Sequence, residues 1–204
     1  MQDQIINVKT ERDIMSEISN PWVVKLRYSF QDTGHLYLVM TYVPGGDLMT
    51  ALIRLNKFNE DTARFFVGEI TLALNSLHNQ GIYHRDLKPD NVLINDDGHI
   101  LLTDFGLSER RQTDTTELDI LERIQEEMLE RTFAGRCNSP HHVRGGAIGT
   151  VDYTPPEVFR REKVTALSDY WSLGVILYEM LYGFPPFKGK SQQETAMRIV
   201  KWNL

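Results

Sequence analysis

The sequence predicts an α+β protein in two unequal parts, a small strand-bearing part over residues 1–41 and a larger helical part over 42–204, and three observations carry that reading. Apolar residues alternate in two adjacent runs, Val24, Leu26, Tyr28, Phe30 and then Leu36, Leu38, Met40, joined by Gln31 to Gly34, which is the pattern of a β-hairpin. The stretch YVPGGDL then turns the chain, and its proline and paired glycines suit a hinge. Beyond it, helical spacing dominates the apolar residues.

Taken in order, about Val8 to Ile18 reads as a helix stopped by Ser19, Asn20 and Pro21; Glu11, Met15 and Ile18 share one face, which puts an acid on the buried side. After the hairpin and the hinge comes a long helix. Asn59 caps it, Glu60 and Asp61 suit its first turn, Ala63, Phe66, Val67, Ile70, Leu74 and Leu77 line its inner face, and Gly81 ends it. NVLIN and HILLT around NDDG read as a second hairpin that delivers Asp104, Phe105 and Gly106 directly after a strand. From about 108 to 149 the chain turns polar and charged, an insert in which Leu118, Leu121, Ile124 and Met128 fit an amphipathic helix. SDYWSLGVILYEMLYG is apolar on nearly every face, as a helix in the middle of a lobe should be.

Composition narrows the setting. A chain of 204 residues with 41% hydrophobic and 25% charged residues can bury a sizeable core, and a formal charge of −6 disfavours nonspecific binding to nucleic acid or anionic membrane. With Cys137 as its one cysteine it forms no internal disulfide, and no segment reaches the ~18 apolar residues of a membrane span, so an intracellular protein of cytoplasm or nucleus is expected.

The chemistry concentrates in HRDLKPDN, from His84 to Asn91, followed by the hairpin, the DFG triplet at Asp104, the PPE triplet at Pro155 to Glu157, and SDYWSLG. His84, Arg85, Asp86, Leu87 and Asn91 match the catalytic-loop pattern HRDLxxxN, and the ordered set resembles the eukaryotic protein kinases over nearly the whole chain. The resemblance implies a two-lobe kinase fold, mostly the helical C-terminal lobe with a partial β-rich N-terminal lobe, and ATP and Mg²⁺ as cofactors. Transfer of a phosphoryl group passes through a loose transition state, so the protein's work is to position reactants and neutralise spread charge. By resemblance, Asp86 orients the attacking hydroxyl and accepts its proton, Asn91 and Asp104 hold Mg²⁺, Lys88 pairs with the transferred phosphate, and Thr150 bonds near Asp86 and Lys88. Lys88 with Pro89 is similar to the serine/threonine kinases. His84 and Phe105 would pack in a column beneath Met15 and Leu36, and Asp169 would accept hydrogen bonds from the catalytic-loop backbone.

LYLVMTYVPGGDL resembles the strand and hinge that hold adenine: Met40 guarding the back of the pocket, the backbone of Thr41 and Val43 bonding the base, Leu93 forming the floor and Asp47 reaching the ribose. Glu11 matches the helix acid that pairs with a strand lysine. NPWVVKLRYSFQD, YVPGGDLMT and GFPPF look like the AGC group, nearest its NDR/LATS kinases, while LTDFGLS and the insert before GTVDY look more like Greatwall and microtubule-associated kinases. Asp47, Asp90 and Glu179 fall where AGC kinases recognise basic residues before the target serine or threonine, which implies protein substrates with nearby Arg or Lys and leaves room for a regulatory protein partner.

The chain also departs from the pattern. Three residues before Gly149, where AGC kinases carry a phosphorylatable hydroxyl, stands Gly146, so Arg85 lacks a phosphate partner at that place; Thr132 and Ser139 are alternative phosphosites. GTPxYxAPE is here GTVDYTPPE. Only ten residues precede Glu11, too few for the lysine strand and glycine-rich loop, and the late arginine partner of Glu157 is absent. The expectation is therefore a partial kinase domain, a fragment, truncated gene model or degenerate copy, with negligible turnover by residues 1–204 alone; a catalytically inactive scaffold is the alternative. Among simpler readings, Glu11 is a solvated helix acid, Asp47 caps the following helix, and Asp90 and Glu179 are surface acids. Cys137, His141 and His142 in one loose loop, without a second cysteine pair, do not make a zinc site, and the stripe at Leu118 to Met128 packs on its own lobe.

Overall fold

The computed structural model describes residues 2–110 and 150–202. Among them are six α-helices and three two-stranded antiparallel sheets, a mixed α+β fold as expected. The insert's apolar stripe, Thr132, Ser139, Cys137, His141, His142 and Gly146 lie outside the described residues, as does the side chain of Thr150.

Helix α1 runs Gln2–Glu17, beginning earlier than its apolar spacing predicts because QDQIIN contains nothing that breaks a helix. Its last turn buries Ile14 and Met15, and the Ile18 N–H closes onto the Ile14 carbonyl at 3.0 Å before Asn20 and Pro21 redirect the chain. The redirected strap is stitched to the larger part: Leu102 N–H donates to the Trp22 carbonyl at 2.7 Å and Val24 N–H donates to the Leu102 carbonyl at 3.0 Å.

Strands β1 (Leu26–Gln31) and β2 (Leu36–Met40) pair in the predicted hairpin, Gln31 opposite Leu36 and Leu26 opposite Met40. Their alternation does not mark a buried face. Tyr28 is 72% and Phe30 56% exposed, and Met40, expected at the back of a pocket, is 37% exposed. The alternation is genuine, but among the described residues this sheet has two strands and no layer lies over these side chains. Val24 is buried because it leaves the hairpin for the Leu102 bond.

At the hinge, the absence of a side chain on Gly45 has a visible cause: a Cβ there would sit 2.3 Å from the Ile94 carbonyl oxygen. That close approach lets Ile94 N–H donate to the Gly46 carbonyl at 2.8 Å and docks the hinge on the second hairpin. Helix α2 (Leu48–Leu55) follows, then α3 (Glu60–Asn79), capped by Asn59, whose side chain accepts from Thr62 N–H at 2.8 Å, a cap worth about 1 kcal/mol. The inner face of α3, with Ile70, Leu74 and Leu77 fully buried, packs on α5 (Ala166–Tyr182). A capping box at Thr165 starts α5, and Gly183, at φ +87°, stops it. Helix α5 is less uniformly apolar than its sequence reads: Leu167 is 73% and Tyr182 58% exposed, so its two ends reach the surface. Strands β3 (Ile82–Tyr83), β4 (Val92–Ile94), β5 (Ile100–Leu102) and β6 (Glu109–Arg110), with helices α4 (Pro156–Arg160) and α6 (Gln192–Lys201), complete the described chain. The β4–β5 hairpin matches the reading of NVLIN and HILLT, its turn held by the Asn95 side chain accepting from Asp97 and His99 N–H.

Candidate active site

The catalytic-loop motif spans the gap between β3 and β4 and is suspended from α5. Asp169, 1% exposed, accepts from His84 N–H at 3.0 Å and Arg85 N–H at 2.8 Å, and its Oδ2 lies 2.7 Å from His78 Nε2 of α3. Burial works against its ionisation, but the His78 ring, the nearby His84 and the two backbone donors outweigh it and hold the carboxyl below the usual aspartate range. One buried charge thus fixes the backbone on the N-terminal side of Asp86. Arg85 takes φ +65°, a left-handed conformation that a non-glycine residue keeps only when its surroundings enforce it.

From the other side the loop closes through a short 3₁₀ turn, Pro89–Asn91, begun by proline. Asn91, 4% exposed, donates from Nδ2 to the Asp86 carbonyl at 2.8 Å. A carbonyl can only accept, so this contact fixes which end of the amide is which and frees Oδ1 as the acceptor. Lys88 Nζ donates to Asp86 Oδ2 at 2.7 Å, a salt bridge with side chains 18% and 12% exposed. Lys88 therefore faces the site expected of it, and its partner in this chain is Asp86.

Asp104 reaches the same place through Thr103. The Thr103 N–H donates to the Asn91 carbonyl at 3.1 Å, and the Thr103 carbonyl lies 3.1 Å from His84 Nε2, which must carry the proton. Asp104 then turns at φ +63°, and Phe105 drops into the core, fully buried with its ring 5.1 Å from that of His84. Of the expected column, the His84 and Phe105 rings pack together and Met15 is buried in the same core as Phe105, while Leu36 is half-buried and not among the residues packed on that core. Glu11 of α1 lies close enough that Asp104 adds to the effect of burial in raising its pKa, so it is a partly buried acid facing another acid and not a solvated surface residue.

An aspartate and an amide whose segments are tied by the Thr103–Asn91 backbone bond offer only hard oxygen ligands, the chemistry that suits Mg²⁺ held by few protein ligands. Asn91 and Asp104 fit that ion, and an added cation would relieve the repulsion between Asp104 and Glu11.

Thr41 N–H is spent on the Lys25 carbonyl at 2.9 Å, leaving its own carbonyl as the group to face a base. Val43 is buried, and Leu93, half-buried, bridges to Asp47, which brings floor and hinge together. Asp47 itself caps α2, accepting from Thr50 N–H at 2.7 Å and Thr50 Oγ1 at 2.9 Å, so its simpler role is filled. Met40 stands open, as described above. Thr150 begins a 3₁₀ turn, Thr150–Tyr153.

Glu179, read as a possible surface acid, is 8% exposed and accepts from Tyr153 Oη at 2.5 Å. Its pKa is raised by burial, with Asp152 and Asp90 adding to the rise and the Tyr153 bond opposing it. The motifs did not single out Asp152, whose pKa is also raised by burial; its place beside Tyr153 in GTVDY was the available signal. Asp90, Asp152 and Glu179 thus share one electrostatic neighbourhood, while Asp47 belongs to the hinge. Glu157, left without its arginine in the sequence reading, accepts from Ser168 Oγ at 2.5 Å.

A helix-suspended loop carrying an acid, a lysine and an amide, closed against a second acid after a strand, defines a phosphotransferase-type site. In agreement, the protein kinase domain model matches residues 1–203, and the chain belongs to that family. It is 45% identical over 218 residues to the serine/threonine-protein kinase Warts of Drosophila melanogaster, covering 98% of this chain and 20% of that protein. It is 44% identical over 223 residues to human LATS2 (98% and 20%), and 43% identical over 217 residues to the probable serine/threonine-protein kinase ndrB of Dictyostelium discoideum (98% and 40%). These relatives fall on the NDR/LATS side of the AGC resemblance. The chain spans a fifth of the length of Warts and LATS2.

Proposed function

We propose that the protein is a serine/threonine protein kinase that transfers the γ-phosphate of ATP to protein hydroxyls, with Mg²⁺, and prefers substrates with basic residues. The observation that carries this reading is the convergence of Asp86, Lys88, Asn91 and Asp104 through the bonds Lys88–Asp86, Asn91–Asp86 and Thr103–Asn91. ATP with Mg²⁺ supplies the phosphoryl group and the charge that neutralises its oxygens. Asp86 orients the substrate hydroxyl and takes its proton at Oδ1 or Oδ2. Lys88, already seated on Asp86, is placed to meet negative charge at the same spot. Asn91 and Asp104 offer oxygens to the cation, and Thr41 and Val43 offer backbone groups to the base. The family supports the use of ATP.

Support for a basic substrate comes from Asp90, Asp152 and Glu179, a group of acids that Lys188 offsets only in part and that an arginine fork would suit. An intracellular location, in cytoplasm or nucleus, belongs to the same proposal and rests on the acidic charge and the single cysteine. Among the described residues no helix is long and apolar enough to cross a membrane.

The test is phosphate transfer from Mg-ATP to serine and threonine peptides with and without upstream arginine. Residues 1–204 alone are expected to transfer negligibly; where they stand in a longer chain, transfer is expected, with Arg-bearing peptides favoured, and Asp104→Ala should lower it by about 10²–10³-fold. Binding of Mg-ATP without transfer would move the protein to the inactive-scaffold reading, and equal use of both peptides would remove the basic preference.

A further inference from the structure

Glu109 belongs to none of the motifs used above, yet it touches the catalytic loop. We propose that Glu109 is a positioning residue, the built-in counter-ion of Arg85, and that through Arg85 it keeps Asp86 in place without an added phosphate. The inference rests on the kinase reading and deepens it by naming what holds that site in order.

Arg85 stands between a fully buried His84 and the proposed base Asp86, in a left-handed conformation that needs restraint from outside. Asp169 restrains its backbone N–H at 2.8 Å. Its side chain, 31% exposed, pairs through Nη2 with the Glu109 carboxylate. Partial burial works against the guanidinium charge and Asp169 offsets part of that; Glu109 is the carboxylate that meets the guanidinium itself. Sequence offers no phosphate at the place the family uses, because Gly146 has no hydroxyl to carry one.

Glu109 is delivered by structure of its own. Strand β6 pairs antiparallel with β3, Glu109 opposite Tyr83 and Arg110 opposite Ile82, which sets the carboxylate beside the loop's entry. The buried Ser108 hydroxyl donates to the His84 carbonyl at 3.0 Å, fastening the same loop one residue earlier. Arg110 Nη1 pairs with Glu17 at the end of α1, the helix that carries Glu11. Residues 108–110 therefore form a strap with two fastenings on the loop, one on β3 and one on α1. The ion pair is half-open to water and contributes little as a bare attraction, so its effect falls on geometry.

The experiment compares wild type, Glu109→Gln and Glu109→Asp in steady-state transfer from Mg-ATP to a serine peptide. It adds a phosphatase-treated wild type and hydrogen exchange at the amides of residues 84–86. Glu109→Gln should lower kcat about tenfold, less than the ~10²-fold a full 1 Å misplacement can cost, with KM for ATP within about twofold. Glu109→Asp should restore most of kcat, phosphatase should leave wild type unchanged, and exchange at 84–86 should rise in Glu109→Gln alone. Wild-type kcat and exchange in Glu109→Gln overturn the proposal. So does a phosphatase effect as large as that of Glu109→Gln, which would place an added phosphate on Arg85. If wild type transfers no phosphate, the kinase reading fails, while the exchange measurement still decides for or against Glu109.

Discussion

The catalytic loop and the β1–β2 hairpin are built on opposite plans. Around the loop every turn is fixed from several directions: Asp169 from α5, Asn91 from the 3₁₀ turn, Thr103 from β5, with His84 and Phe105 fully buried behind. The hairpin has one cross-strand ladder and a strap, and it leaves Tyr28, Phe30 and Met40 in solvent. Geometry for phosphate chemistry thus resides in contacts within the larger part. The wall behind the proposed nucleotide site is open among the described residues, and its hinge edge, Thr41 to Gly46, is the portion fixed firmly, by Lys25 and Ile94. A site can be ordered at its reacting end and open at its binding end, because the two ends draw on different elements.

The sharpest way to break that contrast is to remove the loop's suspension. Asp169→Ala takes away the acceptor for two backbone N–H groups and the partner of His78, all buried or nearly so. Leaving such donors unpaired should cost about 3–5 kcal/mol in urea unfolding. Phosphate transfer should vanish with it even where the variant stays folded. A cost under about 1 kcal/mol would mean that the loop is held by something other than α5.

The same contrast explains what was legible in the sequence. Period and punctuation gave α3, capped by Asn59, and the β4–β5 hairpin around NDDG, because each is decided by neighbours a few residues apart. The resemblance placed Asp86, Asn91 and Asp104, and the fold joins Asn91 to the Asp104 segment through Thr103, a residue to which the sequence reading gave no role. Burial was harder. The alternation of β1 and β2 looks the same whether or not a layer lies over it, and Glu179 looks like any surface acid until Tyr153 is seen above it. Charge pairs distant in sequence, Arg85 with Glu109 and Arg110 with Glu17, have no periodic signature, so only the fold brings them out.

A smaller effect sharpens the electrostatic half of the comparison. Glu179 carries a raised pKa, chiefly from burial, so the folded state holds its proton more tightly than the unfolded one. Its contribution to stability is complete below about 4.5 and is lost as pH rises through the higher folded value. Glu179→Gln keeps an acceptor for Tyr153 Oη while removing the charge. The variant should match wild type in acid and exceed it at neutral pH, read from paired unfolding curves. An unchanged difference across pH would show that neither burial nor the neighbouring acids raise the Glu179 pKa.

The smallest effect belongs to the hairpin, and it separates two sources of order within one sheet. Tyr28 lies 72% exposed, opposite Val39 on β2, so Tyr28→Ser should change unfolding free energy by less than about 0.5 kcal/mol. Phe30, also exposed, stacks on Tyr37 with centroids 4.9 Å apart and planes 18° from parallel, and Phe30→Ser should cost about 1 kcal/mol through that stack. The order of the two values matters more than either alone. If Tyr28→Ser proved the more costly, the exposed face would be covered in solution, and the opposition between a tied loop and an open hairpin would have to be redrawn with a layer over β1 and β2.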